Sequence, residues 1–571
     1  MLHKKHILSI FILTVAIATV SYFLIFKNNK KDFIASQNLS QLESFLESPY
    51  NDIASYEEIF LKIKTQANQE NSKAGIISHH FLAKELIADF YNKISSDKIK
   101  NVFLISPNHY NHFYPTGTLA YTSSLAWKTP YGNLIANNQI IDSIDKVEKN
   151  DSAIGLEHGI YVEIPFIRKF FPNAKIVPLV INLSANSEDL FQLGKQLNYL
   201  GKEDSILIVS SDFSHDIPAT ESSKQDKKSI EELKKLNKEK INYINSDCKQ
   251  CFLVLSTFLE NQNYKFNLID NKNSFDYSNE NQNSVTSYVS GFYSEKKDIN
   301  ILFTGDLMLD RGIRYFANKN GSYEFLFDKI YPLLSNQDLV VSNLEGPITN
   351  NKSISSGTIP GSSNNFIFTF APETADTLYL ENIKLVNLGN NHILNFSKSG
   401  LISTKNYLSK YGIEYFGAPN DSRSIVKEIE GIKIAFISYN EFFGSASLDE
   451  AQAIDEIQKL KDKTDFIIVL PHWGVEYTLE PTEEIKNMAH QFINAGADLV
   501  IGTHPHVIQS IENYNSKKIY YSLGNFIFDQ YFEENVRNGL GVVLKINPNT
   551  KNITTEEINF FLQSNGQTII K

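Results

Sequence analysis

Cysteine is almost missing from this chain: its 571 residues include only Cys248 and Cys251, too few for a disulfide framework. Basic charge is also in deficit. Lys and Arg total 54 against 65 Asp and Glu, a formal net charge of -11, whereas a nucleic-acid binder needs a basic face for phosphate. Nucleic acid is therefore excluded as the expected partner. The acidic residues are dispersed, so their excess speaks mainly for solubility. Long apolar runs are lacking as well, except over residues 7–26. A membrane protein with several helical spans is thereby ruled out.

That one run holds about 20 residues, enough to cross a bilayer as a helix. Lys4 and Lys5 precede it; Lys27, Lys30 and Lys31 follow. A cleaved leader has a shorter apolar stretch and a small-x-small site after it, but Ala16-Ile17-Ala18 lies inside the run. The reading is an uncleaved single-pass anchor at the cell membrane with the bulk of the chain outside. Positive charge on both flanks leaves the orientation unspecified. The remaining length exceeds one hydrophobic core, so at least two domains are expected. The expected division is an anchor over 1–31, a helical spacer over 32–70, and globular units over 71–297 and 298–571.

From residue 74 the pattern becomes strand, then polar side chain, then helix. Ala74-Gly75-Ile76-Ile77 runs into His79; Val102-Phe103-Leu104-Ile105 leads to Ser106-Pro107-Asn108-His109; Ile206-Leu207-Ile208-Val209 leads to Ser211-Asp212-Phe213-Ser214-His215. Open α/β sheets place their sites at such carboxyl ends. Glu157-His158 adds an adjacent carboxylate and imidazole. Lys224 to Lys240 reads as a charged surface helix. With Trp127-Lys128-Thr129-Pro130-Tyr131-Gly132 and Pro165-Phe166, these motifs resemble the Memo-like family (AmmeMemoRadiSam system protein B), whose fold is related to LigB-type dioxygenases. The resemblance implies a metal pocket of His79, His109, Asp212 and His215 with a cysteine, best matched by Cys248, and iron or copper as the metal. A Cys248–Cys251 disulfide and a domain that keeps the fold without metal are the alternatives. His80 and His112 read as structural or exposed.

The same grammar returns more densely after residue 300. Apolar strands lead successively to Gly305-Asp306, Asn343-Leu344-Glu345, Asn390-Asn391-His392, His472-Trp473-Gly474, His504-Pro505-His506 and Gly524-Asn525. Carboxylates, an amide and imidazoles on strand ends suit one or two manganese, iron or zinc ions acting in hydrolysis. His-x-His alone reads equally well as two loop histidines. Together the motifs resemble the CapA family of capsule and poly-γ-glutamate synthesis proteins, similar in turn to calcineurin-like metallophosphoesterases. That likeness implies an α/β sandwich in which Asp306, bridging Glu345 and His506 hold one ion, Glu345, Asn391, His472 and His504 hold the other, and His392 is the acid. Two positions depart from the pattern: Met308, where a His is usual, and Asn395-Phe396-Ser397, where Asp-x-Gly is common. The expected fold class is thus α/β in two domains behind one transmembrane helix. The expected function is a CapA-type hydrolase acting on a cell-surface polymer or its precursors. The alternatives are a non-catalytic metal-binding surface factor and a Memo-like redox protein. N-terminal sequencing of the membrane-extracted chain should read Met-Leu-His if the anchor is uncleaved; a start beyond Ala18 would mean a removed leader.

Overall fold

Strands that lie inside a parallel sheet are covered on both faces and are predominantly apolar. Ser72–Ile77, Ser205–Ser210 and Phe466–His472 fit this, with every residue buried. The computed structural model describes residues 45–63, 72–110, 117–260 and 263–571. The expected anchor lies outside them; among the described residues no helix is long and apolar enough to cross a membrane.

The first domain is built on an eight-stranded mixed sheet. At its centre Lys175–Ile181, Asn101–Pro107, Ser205–Ser210 and Ser72–Ile77 run parallel, so their carboxyl ends share one edge. Ser287–Glu295 and Tyr264–Asn273 close one side antiparallel. Helices cover both faces. Residues 45–63, expected as part of a spacer, pack on this domain instead. Phe45–Glu47 pairs in parallel with Ala126–Lys128, and Asp52 caps the helix Ile53–Lys62 through the amides of Ala54 and Ser55. Its Tyr56 is fully buried, edge-on to Phe166 at 5.2 Å between ring centres. Aromatic burial of that size outweighs the freedom a linker would keep.

The second domain is a two-sheet sandwich. One sheet contains the parallel strands Ile299–Leu307, Leu339–Leu344 and Ile383–Asn387, extended by the antiparallel Asn538–Ile546 and Ile553–Leu562. The other has Ile432–Asn440, Phe466–His472 and Leu499–Ile501 in parallel. Ile301, Phe303 and Val341 of the first sheet pack with Phe436, Ile468 and Ile501 of the second in one apolar core. The carboxyl ends of both parallel sets open at the same end of the sandwich, where the side chains described below converge.

The two domains touch through the helix Ala219–Lys235. Ile230 and Leu233 face its own domain's core, as their spacing implies. The charged side is not the free surface expected from sequence. Lys227, only 2 % exposed, pairs with the fully buried Glu381 of the second domain, and Glu231 meets Lys384 at 2.7 Å. Tyr331 of the second domain inserts into the first domain's core with Lys227 above its ring at 4.7 Å. Asn336 completes the seam, exchanging two hydrogen bonds with the backbone of Leu268 at 2.7 and 2.9 Å. Removing one partner of a buried ion pair strands the other, so Lys227→Ala should cost about 3–5 kcal/mol in urea unfolding. Lys227→Met with Glu381→Leu should restore most of that loss, because neither charge then remains buried.

Candidate metal centres

Asp306 ends a strand whose Gly305 has no room for a side chain: a Cβ there would lie 1.9 Å from the carbonyl oxygen of Gly524. That close approach lets the Asp306 amide donate to the same oxygen at 3.0 Å and aims the carboxylate at the sandwich end. Glu345 follows the neighbouring strand, and both carboxylates are fully buried. His504 and His506 leave the strand Leu499–Ile501 in left-handed conformations, φ 101° and 58°, which point both rings inward around Pro505. Non-glycine residues hold such angles only where their surroundings enforce them. Asp306 Oδ2 enforces one of them, accepting from the His504 amide at 3.2 Å.

The side chains meet closely. His506 Nδ1 lies 3.2 Å from Asp306 Oδ2, and its Nε2 lies 3.6 Å from Glu345 Oε1. Donor atoms of Asp306, Glu345 and His506 all fall within 4.8 Å of one another. On the other side of Glu345, His472 Nε2 is 3.0 Å from Asn391 Oδ1, and the rings of His472 and His504 are 4.8 Å apart. His392 Nε2 stands 3.9 Å from Glu345 Oε1. All seven C-terminal candidates read from sequence therefore gather at one end of the sandwich.

Sequence reasoning missed the amides that wire this cluster. The Asn343 amide nitrogen lies 2.7 Å from Asp306 Oδ1, 3.5 Å from Glu345 Oε2 and 3.3 Å from His472 Nδ1. Asn390 donates to Asn343 Oδ1 and to the Leu344 carbonyl. Asn525 Oδ1 lies 3.0 Å from His506 Nδ1. All three stand in the strand-end motifs of the sequence, but nothing there assigned them this role. The two departures also acquire a physical account. Met308 is fully buried, and its sulfur accepts from the Asp310 amide, so it belongs to the core and offers no imidazole. Asn395 Oδ1 lies 3.1 Å from His392 Nδ1, so a neutral amide holds this ring where a carboxylate was expected. His490 lies away from the cluster, stacked on Tyr514 and bonded to Glu512.

Burial dominates the electrostatics of the cluster. Burial, and next the charge of Asp306, push the Glu345 carboxyl well above its ordinary range. Burial opposes ionisation of Asp306 too, but the hydrogen bond and charge of His506 outweigh it and hold that carboxyl low. Burial and neighbouring imidazoles bring His504 down to about 3, and burial brings His392 down to about 4. Neutral imidazole is the ligating form. Glu345 Oε1 and His504 Nδ1 are buried and, among the described residues, find no hydrogen-bond partner. Such orphaned atoms are costly unless something else occupies the space between them. Carboxylates, neutral imidazoles and an amide oxygen with vacant lone pairs fit divalent cations.

The first domain gathers a second set at its own carboxyl edge. His79 Nε2 lies 3.6 Å from Asp212 Oδ2 and 3.2 Å from Asp247 Oδ2, and His109 Nε2 is 3.5 Å from the same Asp247 oxygen. His158 packs against both rings, 4.6 and 4.1 Å between centres. Its helix comes this close because of Gly159, where a Cβ would meet Ser106 Oγ at 1.9 Å. Glu157 clamps His109 Nδ1 at 2.7 Å. Burial disfavours charge on His79, yet Asp212 and Asp247 outweigh it and lift its pKa to about 10. His109 is lifted to about 9 against burial by Asp247 and Glu157, while burial and the two neighbouring rings drop His158 to about 3.

Two expectations fail here. Cys248 is no ligand: it is disulfide-bonded to Cys251, and both sulfurs sit in the apolar core with no thiolate to offer. His215 is exposed, 3.4 Å from Thr286 Oγ1, and outside the cluster. Asp247 and His158 take the inward positions. His80 bonds the Tyr288 hydroxyl, and His112 lies outside the described residues.

Comparison with known proteins matches residues 37–292 to the family described as Memo-like protein, and residues 300–530 to Bacterial capsule synthesis protein PGA_cap. The chain is a fusion of a Memo-like domain and a PGA_cap domain. The PGA_cap domain is 29% identical over 259 residues to the capsule biosynthesis protein CapA of Bacillus anthracis, covering 42% of this chain and 62% of that one. It is 28% identical over 244 residues to the PGA biosynthesis protein CapA of Bacillus subtilis, covering 40% and 63%. The Memo-like domain is 30% identical over 173 residues to a MEMO1 family protein of Pyrobaculum aerophilum, covering 28% and 60%. The chain thus spans less than two thirds of each relative's length. Partners that orient a ligating imidazole set its affinity, so in the PGA_cap domain Asn525→Ala should weaken manganese binding by about 10–100-fold in calorimetric titration.

Proposed function

We propose that the PGA_cap domain is a metal-dependent hydrolase acting in the assembly or trimming of an anionic cell-surface polymer, anchored to the membrane by residues 7–26 with its bulk outside the cytoplasm. The observation that carries this reading is the buried trio Asp306, Glu345 and His506, whose donor atoms lie within 4.8 Å of one another beside the Asn391–His472–His504 group. The names of the Bacillus relatives support a capsule or poly-γ-glutamate setting. The Cys248–Cys251 disulfide supports an oxidising compartment.

Asp306, Glu345 and His506 would hold one ion, and Glu345, Asn391, His472 and His504 another, from among manganese, iron and zinc. Bound there, such ions supply Lewis acidity and a water of lowered pKa. The chain's own groups do the rest. Asn395 fixes the His392 ring against Phe368, 4.3 Å between centres, so that Nε2 faces the carboxylates and can exchange a proton with a leaving oxygen or nitrogen. Arg311, paired with Asp529 and stacked on Phe368 and Phe528, offers a fixed cation to an anionic substrate. Phe442, its ring 4.2 Å from His504, and the half-exposed Tyr477 form an apolar rim that narrows access for water.

The test uses the full chain loaded with manganese, assayed on phosphodiesters and on poly-γ-glutamate. Glu345→Ala should abolish turnover with whichever substrate responds. His392→Ala should lower the rate by about 10²–10⁴-fold for an alkyl leaving group, and far less for p-nitrophenolate, which leaves without a proton. Metal-loaded protein inactive on both substrate classes, with Glu345→Ala binding as much metal as the parent, would sink the proposal. Met308 favours a second reading, a metal-holding surface factor without turnover, because it leaves one ion a ligand short. Stoichiometric metal binding with no activity on any substrate would select it.

A further inference from the structure

The geometry points to a second compartment beside the metal cluster of the PGA_cap domain: a cavity of about 300 Å³ that seats an uncharged sugar unit of the substrate, next to the bond presented to the metals. The inference rests on the hydrolase reading for which end reacts. It narrows the substrate to a polymer, or its precursor, whose sugars are neutral and whose linkages carry the charge.

Strand order puts the cavity there. Asn391 follows the strand Ile383–Asn387, and His472 ends Phe466–His472. The next strand out in each sheet, Glu414–Phe416 and Ile432–Asn440, brings Gly417 and Ser438 to the cavity. The two compartments share a wall. Asn440 lines the cavity in register with His472, and the Glu441 amide donates to the His472 carbonyl at 3.1 Å. Phe442 then lies against His504, 4.2 Å between ring centres, while its neighbour Phe443 lines the cavity. Gly389, two residues before Asn391, packs on the cavity floor: a Cβ there would lie 2.1 Å from Ser438 Oγ.

The lining has hydrogen-bonding capacity but no spare positive charge. Arg423 Nη2 donates to Asp449 Oδ1 and Gln452 Oε1, both at 2.7 Å, and Nη1 donates to the Ser438 carbonyl at 3.2 Å. Asp449 Oδ2 accepts from the backbone amide of Asn440 at 2.9 Å, and Asp421 is paired with Lys405. A glutamate carboxylate entering here would meet Asp449 and Asp421 with the Arg423 cation already committed, and would lose its water without compensation. Neutral groups remain for a ligand. Ser438 is 3% exposed, and its Oγ, among the described residues, has no hydrogen-bond partner. Such a buried hydroxyl is costly until something completes it. Asn440 Oδ1 accepts from the Phe442 amide at 3.1 Å, which leaves its NH2 group as the donor. Phe443 and Leu448, 39% and 59% exposed, add an apolar surface. A pyranose presents the matching pair, hydroxyl edges and an apolar C–H face, and a few fixed polar groups beside an apolar wall orient a small ligand. With a neutral unit in an anionic polymer, the charge lies in the linkage. The substrate class is therefore a sugar phosphodiester, and γ-linked glutamate is set aside.

Saturation-transfer NMR on the zinc-loaded full chain tests this, with methyl N-acetylglucosaminide as the neutral probe and γ-glutamylglutamate as the anionic one. The glycoside should bind. Its affinity should fall about 3–10-fold in Ser438→Ala, the worth of one hydrogen bond, and by a similar factor in Phe443→Ala, which removes the apolar wall. Leu448→Trp, which fills the cavity, should abolish binding. Phe443 and Leu448 lie at the surface, so these two variants decide if Ser438→Ala fails to fold. Glu345→Ala should bind the glycoside as the parent does, because Glu345 belongs to the other compartment. The inference is overturned if the glycoside does not bind, if Phe443→Ala and Leu448→Trp leave its binding unmoved, or if the dipeptide binds and these variants abolish that binding. Glycoside binding that follows the variants in a chain without turnover sustains the compartment and defeats the hydrolase reading instead. Turnover without glycoside binding does the reverse.

Discussion

The structure of the PGA_cap domain depends on two carboxylates, Asp306 and Glu345, held out of water at the end of a β-sandwich. Burying such groups is expensive unless they are paired, protonated or bound to metal. The Asn343 amide, itself held by Asn390, reduces that cost without cancelling it, and burial disfavours charge on His504 and His392. The left-handed backbone at His504 and His506 adds to the expense. A fold tolerates this only because the sheets beneath it are thoroughly apolar, with Phe303, Phe436 and Ile468 locked between them.

The Memo-like domain solves a related problem differently. There the imidazoles of His79 and His109 lie directly against carboxylates, so proton and metal compete for the same nitrogens. A cation placed among them would supply the positive charge that protonated rings otherwise provide. In both domains the donors read from sequence, among them Asp306, Glu345, His472, His79 and His109, lie at carboxyl ends of parallel strands, where strand direction brings neighbours together. The seam between the domains is polar at Lys227 and Glu381 and apolar at Tyr331, a combination that fixes register as well as adhesion.

What was legible in the sequence was whatever sits at the end of an apolar strand. Asp306, Glu345, His472 and His506, like His79 and His109, each follow a run whose burial on both faces forces it into the middle of a sheet. The illegible parts come from elsewhere. Asp247 precedes a helix, His158 opens a short one, and both reach the centre only because a loop and Gly159 bring them there. Cys248 was expected as a donor because the family resemblance implies a cysteine there, with a Cys248–Cys251 disulfide as the alternative, and the disulfide is what the structure has. Tyr56 and Lys227 looked like linker and surface because their partners, Phe166 and Glu381, are about 110 and 154 residues away.

The sequence by itself determined two α/β units, the ordering of apolar strands and the ligand-type residues at their ends, because alternation and burial are local consequences of residue chemistry. Only the tertiary structure decided which of those residues share a pocket, which cysteine reading holds, and how the charged helix Ala219–Lys235 docks. Those outcomes turn on contacts between residues far apart in the chain, and local pattern contains no term for them.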